Sequence, residues 1–490
     1  MNIGTPRLLR ATRVAGSFSR PAILAVTAVL ALCSPGLHAQ VADGGRLELT
    51  TASDAARQHF WMGMNDQLNV YPSGAARHFQ MAVDADPEFG LAKVLHAFVA
   101  PAPTAAARSD ALSEAMRSVT GASTHEILLA TAMREWGSGG APTASRLMLV
   151  LSEMLPNDPH IATHARQLAR AGGDDTDVIR GWEGLIARFP DFAPPYNSLA
   201  YAHWRVGDRS EAMANVAKYM ELAPDHPNAH DSYAEMHSYD GSYPTALAHY
   251  QRAAELEPAF DQAYVGMAEV YSLMGALDAA VEQMNLAYEH RRSPPNGVTT
   301  LRQLASMQAL HGDRDGAMGT LGRAAAAAGE AGLDNLEALS HLQMALTDAL
   351  LNEGRTAQAH LDRAAEIGGS DTADQLIATG LVQASTGRAQ AAKGTATKLA
   401  EGNTNPARQS LAKSITALAL LSEGQAQEAL TTLEGADPSL SIVQVAQSRA
   451  LLALDYPVAA ESKRQAVLDN RVQLLGNIVE VFAIVLAQQN

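Results

Sequence analysis

Apolar residues return along most of this chain at the spacing of an α-helix, and they do so in pairs of short segments. From Asp261 onward, Tyr264, Met267, Ala268 and Tyr271 fall at i, i+3, i+4 and i+7, one face of a helix. Gly275 follows where the chain must adopt a positive φ to leave that helix. Leu277, Ala280, Val281, Met284, Ala287 and Tyr288 then mark the inner stripe of a second. The pattern predicts a helical hairpin. No segment shows the strict apolar–polar alternation of a half-buried strand.

The hairpin repeats with a period of 34. Gly139, Gly173, Gly207, Gly241 and Gly275 are spaced by it, as are Pro156, Pro190, Pro224 and Pro258. Ala200, Ala234 and Ala268 keep the same step, and so do Ala212, Ala246 and Ala280, small residues where two helices cross. Prolines close the second helices because they cannot continue a helix interior. An aromatic at the fourth position, small residues at the eighth and twentieth, Gly at the fifteenth and Pro at the thirty-second together resemble the tetratricopeptide repeat. The match is fullest in Tyr196, Leu199, Ala200, Gly207, Ala212 and Pro224, and in Tyr233, Ala234, Gly241, Ala246, Tyr250, Ala253 and Pro258. The resemblance implies an all-α, right-handed solenoid that binds protein or peptide and carries no cofactor.

Weaker units flank residues 125–292, the best-formed stretch. Ala75, Phe79, Ala82 and Pro87 reproduce half a unit, and Ala132, Gly139, Ala144 and Pro156 hold the register. Toward the C-terminus Gly312/Ala317, Gly354/Ala359, Gly387/Ala392 and Gly424/Ala429 keep the turn-to-helix spacing. Ten to eleven hairpins are expected between residues 50 and 490. Pro, Gly and Asn interrupt the pattern at 100–104, 293–297 and 402–406. The middle break separates an N-terminal array, 40–292, from a degenerate one, 298–490, either as a bend or as a loop within one array.

The first 20 residues hold Arg7, Arg10, Arg13 and Arg20 and no acid, and an apolar run from Pro21 to Leu32 follows. That run is too short to span a bilayer, and Leu37-His38-Ala39 suits signal peptidase cleavage. Residues 1–39 are therefore expected to be an export leader, placing the mature chain in the periplasm or outside the cell. Lipid attachment at Cys33 is disfavoured by the leucine before it, and an organellar transit peptide by the separate apolar core. Cys33 is the only cysteine, so a mature chain starting at Gln40 has no disulfide, thiol nucleophile or thiolate metal site. Loss of the leader takes the formal charge from -16 to -20, a surface that repels nucleic acid and anionic lipid and favours cationic or neutral partners.

Phosphate-loop, serine-elbow and zinc-protease motifs are absent; His125-Glu126 lacks a second histidine. The chain reads as a non-enzyme. The rival reading is an enzyme or metal-binding protein whose site is assembled in the groove from several repeats. His160 and His164 stand at i, i+4, a spacing that binds a transition metal only if further ligands converge; otherwise they are solvated. His230 and His237 occupy positions that face the partner helix and are expected to pack.

The resemblance further implies that the first helices line a concave groove. The positions it assigns there are Asn197, Tyr201, Trp204 and Arg205, then Asn228, Asp231, Glu235 and Tyr239, then Gln262, Glu269 and Ser272. Leu129, Met133 and Trp136, with His160 and Arg170, extend the groove toward the N-terminus. Read from spacing alone, Asp231 and Glu235 lie opposite the apolar stripe of their helix, as do Val265, Glu269 and Ser272. Aromatics off the core stripe are the residue types that carry binding energy. With one arginine among three acids, a basic or aromatic segment of a protein partner fits the groove better than a terminal carboxylate.

The last predicted helix, 471–488, is too apolar to cap an array. Val472, Leu475, Val479, Phe482 and Leu486 form one stripe and Leu474, Ile478, Val481 and Val485 an adjoining one. Arg471, Gln473, Asn477 and Glu480 argue against a membrane span. The second stripe must fold back into a wide groove or meet another chain, as in a homodimer.

Overall fold

The computed structural model describes residues 45–102, 104–169, 174–291, 293–350, 354–402, 404–469 and 478–489. The expected leader, Cys33, Arg170, Gly173 and residues 471–477 of the terminal helix lie outside them.

Among the described residues there are 25 helices and no strand. The first hairpins are α1 (Asp54–Leu68) with α2 (Pro72–Ala85), α3 (Gly90–Val99) with α4 (Ala105–Met116), and α5 (Thr124–Gly137) with α6 (Ala141–Met154). The regular repeats are α7 (Pro159–Ala169) with α8 (Asp175–Arg188), α9 (Pro194–Arg205) with α10 (Arg209–Leu222), α11 (Pro227–Tyr239) with α12 (Tyr243–Leu256), and α13 (Asp261–Leu273) with α14 (Leu277–His290). Then come α15 (Pro294–Leu310) with α16 (Arg314–Glu330), α17 (Asp334–Leu350) with α18 (Gly354–Gly368), and α19 (Ala373–Ser385) with α20 (Ala389–Ala400). Last are α21 (Pro406–Ser422) with α22 (Ala426–Thr432), α23 (Ser441–Ala453) with α24 (Pro457–Asp469), and an unpaired α25 (Ile478–Gln488). That makes twelve hairpins, above the ten to eleven expected, because the most degenerate units kept their helices after losing their sequence marks.

The repeat chemistry acts as its spacing predicts. Gly207, Gly241, Gly275, Gly312, Gly387 and Gly424 leave the first helices at φ between 74° and 81°, which an L side chain adopts only under strain. Ala200, Ala234, Ala268, Ala212, Ala246 and Ala280 are fully buried at the crossings. Prolines at the first turns of α9, α11 and α15 cost nothing, since those N–H groups have no helical acceptor. Ser123 and Glu126 form a capping box at the start of α5.

Two local expectations fail. Pro294 opens α15, so 293–297 is a helix start and not a loop. Gly354 is the first residue of α18, and the buried alanine there is Ala357 while Ala359 is exposed, so the register has slipped by two.

Successive odd-numbered helices touch one another from α11 to α13 and from α15 through α23, while even-numbered helices pack on their odd neighbours. The odd helices are thus the inner, concave layer. Both ends of the chain return to that layer. At the N-terminus, residues 45–51 cross the junctions between hairpins. Asn157 N donates to Gly45 O (2.9 Å), Leu47 N to Asp158 Oδ2 (2.9 Å), Thr50 N to Glu126 Oε1 (3.0 Å), and Thr51 Oγ1 to Asp86 Oδ2 (2.5 Å). Helix α1 then touches α7. The α1–α2 turn reaches further: Tyr219 OH donates to Asn69 Oδ1 at 2.8 Å, Arg77 pairs with Glu257 at 2.8 Å, and Tyr71 packs on Phe260, Ala253 and Ala263.

At the C-terminus α25 lies against α15, α17 and α23. Val479, Val481, Phe482, Ala483, Ile484, Leu486 and Ala487 are all buried, so residues of both stripes are covered by their own chain. Val485 of the second stripe is half-buried. Glu480, expected only to argue against a span, accepts the N–H of Ser441 at the start of α23 (3.2 Å), and burial raises its pKa. Among the described residues no helix is long and apolar enough to cross a membrane.

Candidate ligand-binding groove

Helix α1 packs on α7, and α25 on α15, α17 and α23, while on α9, α11 and α13 Tyr201, Trp204, Asp231, Glu235, Tyr239 and Glu269 each keep part of their surface accessible. The side chains there are held by the 34-residue step itself. Tyr201 on α9 and Glu235 on α11 occupy the same repeat position, and Tyr201 OH donates to Glu235 Oε2. Tyr239, one turn below on α11, donates to Glu235 Oε1. Glu235 therefore has each oxygen held by a tyrosine. The Trp204 and Tyr239 rings lie 5.3 Å apart, and the Arg209 guanidinium sits 4.5 Å over Trp204. Arg205, the arginine expected in the groove, is held by Asp175 at 3.0 Å.

The remaining carboxylates have no such support. Asp231, one turn before Glu235 on α11, and Glu269, at the same repeat position on α13, flank it, and no hydrogen-bond donor or cation among the described residues engages either. Burial, then the charges of Glu235, Glu269 and Asp261, push Asp231 well above the usual carboxylate range. Burial, then Glu235, raise Glu269 to about 8. Their side chains keep some accessible area, yet protein surrounds them on the concave wall, so the charged form is poorly solvated. The same field, after burial, lifts the Tyr201, Tyr239 and Tyr250 hydroxyls.

Other expected groove residues are placed differently. Asn228 is buried and taken into the N-terminal return, its Nδ2 donating to Tyr219 OH at 3.2 Å. Asn197 is buried with its Oδ1 unpartnered. Gln262 is exposed at the rim. Val265 is core, packed with Leu304 and Met307 of the next hairpin, and Ser272 is held through its hydroxyl and carbonyl by His311 Nε2 (3.1 and 3.0 Å).

Of the expected N-terminal extension of the groove, Leu129 and Met133 are core, while Trp136 and His160 are half-buried. Leu129 and Met133 are fully buried in one cluster with Phe60 and Met64 of α1, and Trp136 packs on Phe98 with ring centroids 5.1 Å apart. His160 is wedged between Trp61 and Phe192, both 4.9 Å away. His164 is not solvated: it is fully buried, neither ring nitrogen has a hydrogen-bond partner, and burial lowers its pKa to about 3. The early concave positions are apolar because α1 covers them, and that apolarity was the signal in the sequence. Arg209 and Asp175, the two residues that engage Trp204 and Arg205, lie outside the first-helix pattern and carried no such signal.

The His, Cys, Asp and Glu side chains among the described residues form no group of three or more able to hold a metal ion. A surface depression of about 440 Å³ is lined by Tyr288, Arg291, Pro294, Val298 and Glu330, and by none of Asp231, Glu235 and Glu269.

The architecture is an all-α array of helical hairpins whose turn glycines and crossing alanines follow a 34-residue step. No known protein family profile and no curated protein matches the sequence. Solved structures match parts of the array. A thermophilic tetratricopeptide protein of Thermus thermophilus is similar at 20% identity with a TM-score of 0.34, over 38% of this chain and 98% of its own. MamA is similar at 18% identity and a TM-score of 0.28, over 32% of this chain and 93% of its own. PilW, described as a type IV pilus biogenesis factor, is similar at 15% identity and a TM-score of 0.34, over 41% of this chain and 91% of its own.

Proposed function

We propose that this chain is an exported protein- or peptide-binding scaffold of the cell envelope whose open groove, between α9 and α13, takes a segment carrying Lys or Arg beside an aromatic residue. The observation that carries the reading is the uncompensated pair Asp231 and Glu269 beside Glu235, whose pKa shifts record only opposing influences. A cation entering there restores the ionised carboxylates in a poorly solvated setting, where attraction is stronger than at an open surface. Trp204 and Tyr239 supply the flat apolar surface for the neighbouring residue, and aromatic anchors of this kind dominate binding energies. The envelope location rests on the order of charged, apolar and small residues in 1–39 and on the acidic surface.

Fluorescence anisotropy with a panel of short peptides tests it. Lys/Arg-aromatic peptides are expected to bind and their Asp/Glu counterparts not to. Trp204→Ala, or Asp231→Asn with Glu269→Gln, should weaken the best binder at least tenfold, about 1.4 kcal/mol. Unchanged affinity in both variants, with the helical circular dichroism of the wild type, contradicts the assignment.

A further inference from the structure

Three hairpins carry the same pair of facing histidines. His59 on α1 meets His78 on α2, His230 on α11 meets His249 on α12, and His341 on α17 meets His360 on α18, each pair separated by 19 residues. The Nδ1 atoms stand 3.4, 3.0 and 3.4 Å apart, and the ring planes lie within 20°, 24° and 26° of each other. Ring centroids are 5.6, 5.2 and 5.6 Å apart, some 2 Å wider than the nitrogens, so the rings meet through their Nδ1 edges and not face to face. All six rings are partly exposed. Six of the sixteen histidines are used this way.

In one pair the far nitrogen is hydrogen-bonded to an acceptor, and in the other two it lies only within ion-pair range of a carboxylate. His78 Nε2 faces Asp66 Oδ2 at 3.8 Å, His230 Nε2 donates to Pro224 O at 2.9 Å, and His360 Nε2 faces Asp348 Oδ2 at 3.9 Å. Asp348 Oδ2 is buried and has no hydrogen-bond partner. The carbonyl at His230 Nε2 keeps the proton there and leaves Nδ1 bare toward the other ring, the arrangement that orients metal-binding histidines. Two nitrogens at about 2.0–2.1 Å from one tetrahedral ion stand about 3.4 Å apart, which is the separation found in two of the pairs, while the His230–His249 pair, at 3.0 Å, must open slightly.

We propose that each pair is a two-imidazole clamp for a divalent transition ion, Cu²⁺, Ni²⁺ or Zn²⁺, with water completing the coordination shell. Imidazole suits these ions, and the half-open position leaves room for solvent ligands. Without an ion, the donor ring of the pair gives its Nδ1–H to the bare Nδ1. On binding, that ring moves its proton to its own Nε2, both Nδ1 lone pairs turn toward the ion, and no net proton is released from a neutral pair. The clamp joins the first and second helices of one hairpin, so occupancy stabilises the folded array by mass action.

Equilibrium dialysis of the tag-free, metal-stripped chain against Ni²⁺, with Cu²⁺ electron paramagnetic resonance on the wild type, tests the assignment. His78→Gln, His249→Gln and His360→Gln should each remove one bound ion, and the triple variant three relative to wild type. The Cu²⁺ spectrum should show two coupled imidazole nitrogens per ion, and Ni²⁺ should raise the melting temperature of the wild type but not of the triple variant. Should the triple variant lose helicity, His59→Gln, His230→Gln and His341→Gln remove the opposite partners with the same expected loss. Wild type binding no more ions than a folded triple variant, or a Cu²⁺ spectrum without paired nitrogen coupling, overturns the proposal and leaves the pairs as proton-sharing contacts.

Discussion

Glu235 and Glu269 show how one repeat position acquires two electrostatic roles. Glu235 receives two tyrosine hydroxyls, whereas Glu269 on the next first helix receives none and is raised to about 8 by burial and by Glu235. In the empty groove Glu269 therefore holds its proton through neutral pH. A bound cation favours the ionised form, so binding expels that proton and strengthens as pH rises toward about 8, levelling off above it. Affinity of a Lys/Arg-aromatic peptide is predicted to rise between about pH 6 and about pH 8 in the wild type and to rise less in Glu269→Gln. Equal pH profiles for the two proteins, measured by calorimetry, contradict this.

Helix α1 and its turn matter because they join repeats far apart in sequence. Tyr71 is buried against Phe260, and His226 packs edge-on to it with centroids 6.1 Å apart. Truncating a buried aromatic costs about 3 kcal/mol or more. Tyr71→Ala is predicted to lose that much in urea unfolding and to raise hydrogen exchange in 227–273 as well as in 54–85. Faster exchange confined to 54–85 would show that the turn does not tie the repeats together. This tie was not legible in the sequence, since the contacts of Asn69 and Arg77 span 150 and 180 residues and leave no periodic mark. What was legible is whatever repeats: the turn glycines, the crossing alanines and the Tyr201–Glu235 pairing all follow from the 34-residue step. The histidine pairs also repeat, but at 19 residues between the two helices of a hairpin, a spacing that helix periodicity alone does not reveal.

Across the described residues, α1 packs on α7 and α25 on α15, α17 and α23 of the concave layer. The C-terminal helix buries Phe482, Ile484 and Leu486 against the late first helices, and Gln489 Nε2 donates to Leu350 O at 2.9 Å. Light scattering is predicted to give a monomer mass at micromolar concentration, and Ile484→Glu to lower the melting temperature without changing that mass. A wild-type dimer dissolved by Ile484→Glu would instead place this helix at a subunit contact.

The central claim is that the groove is open only between α9 and α13. Hydrogen exchange mass spectrometry with and without a saturating Lys/Arg-aromatic peptide measures it directly. Protection is predicted in 194–205, 227–239 and 261–273, with no change in 124–137 under α1 or in 334–350 under α25. Protection centred on either covered stretch, or none at saturation in the open one, would contradict the account.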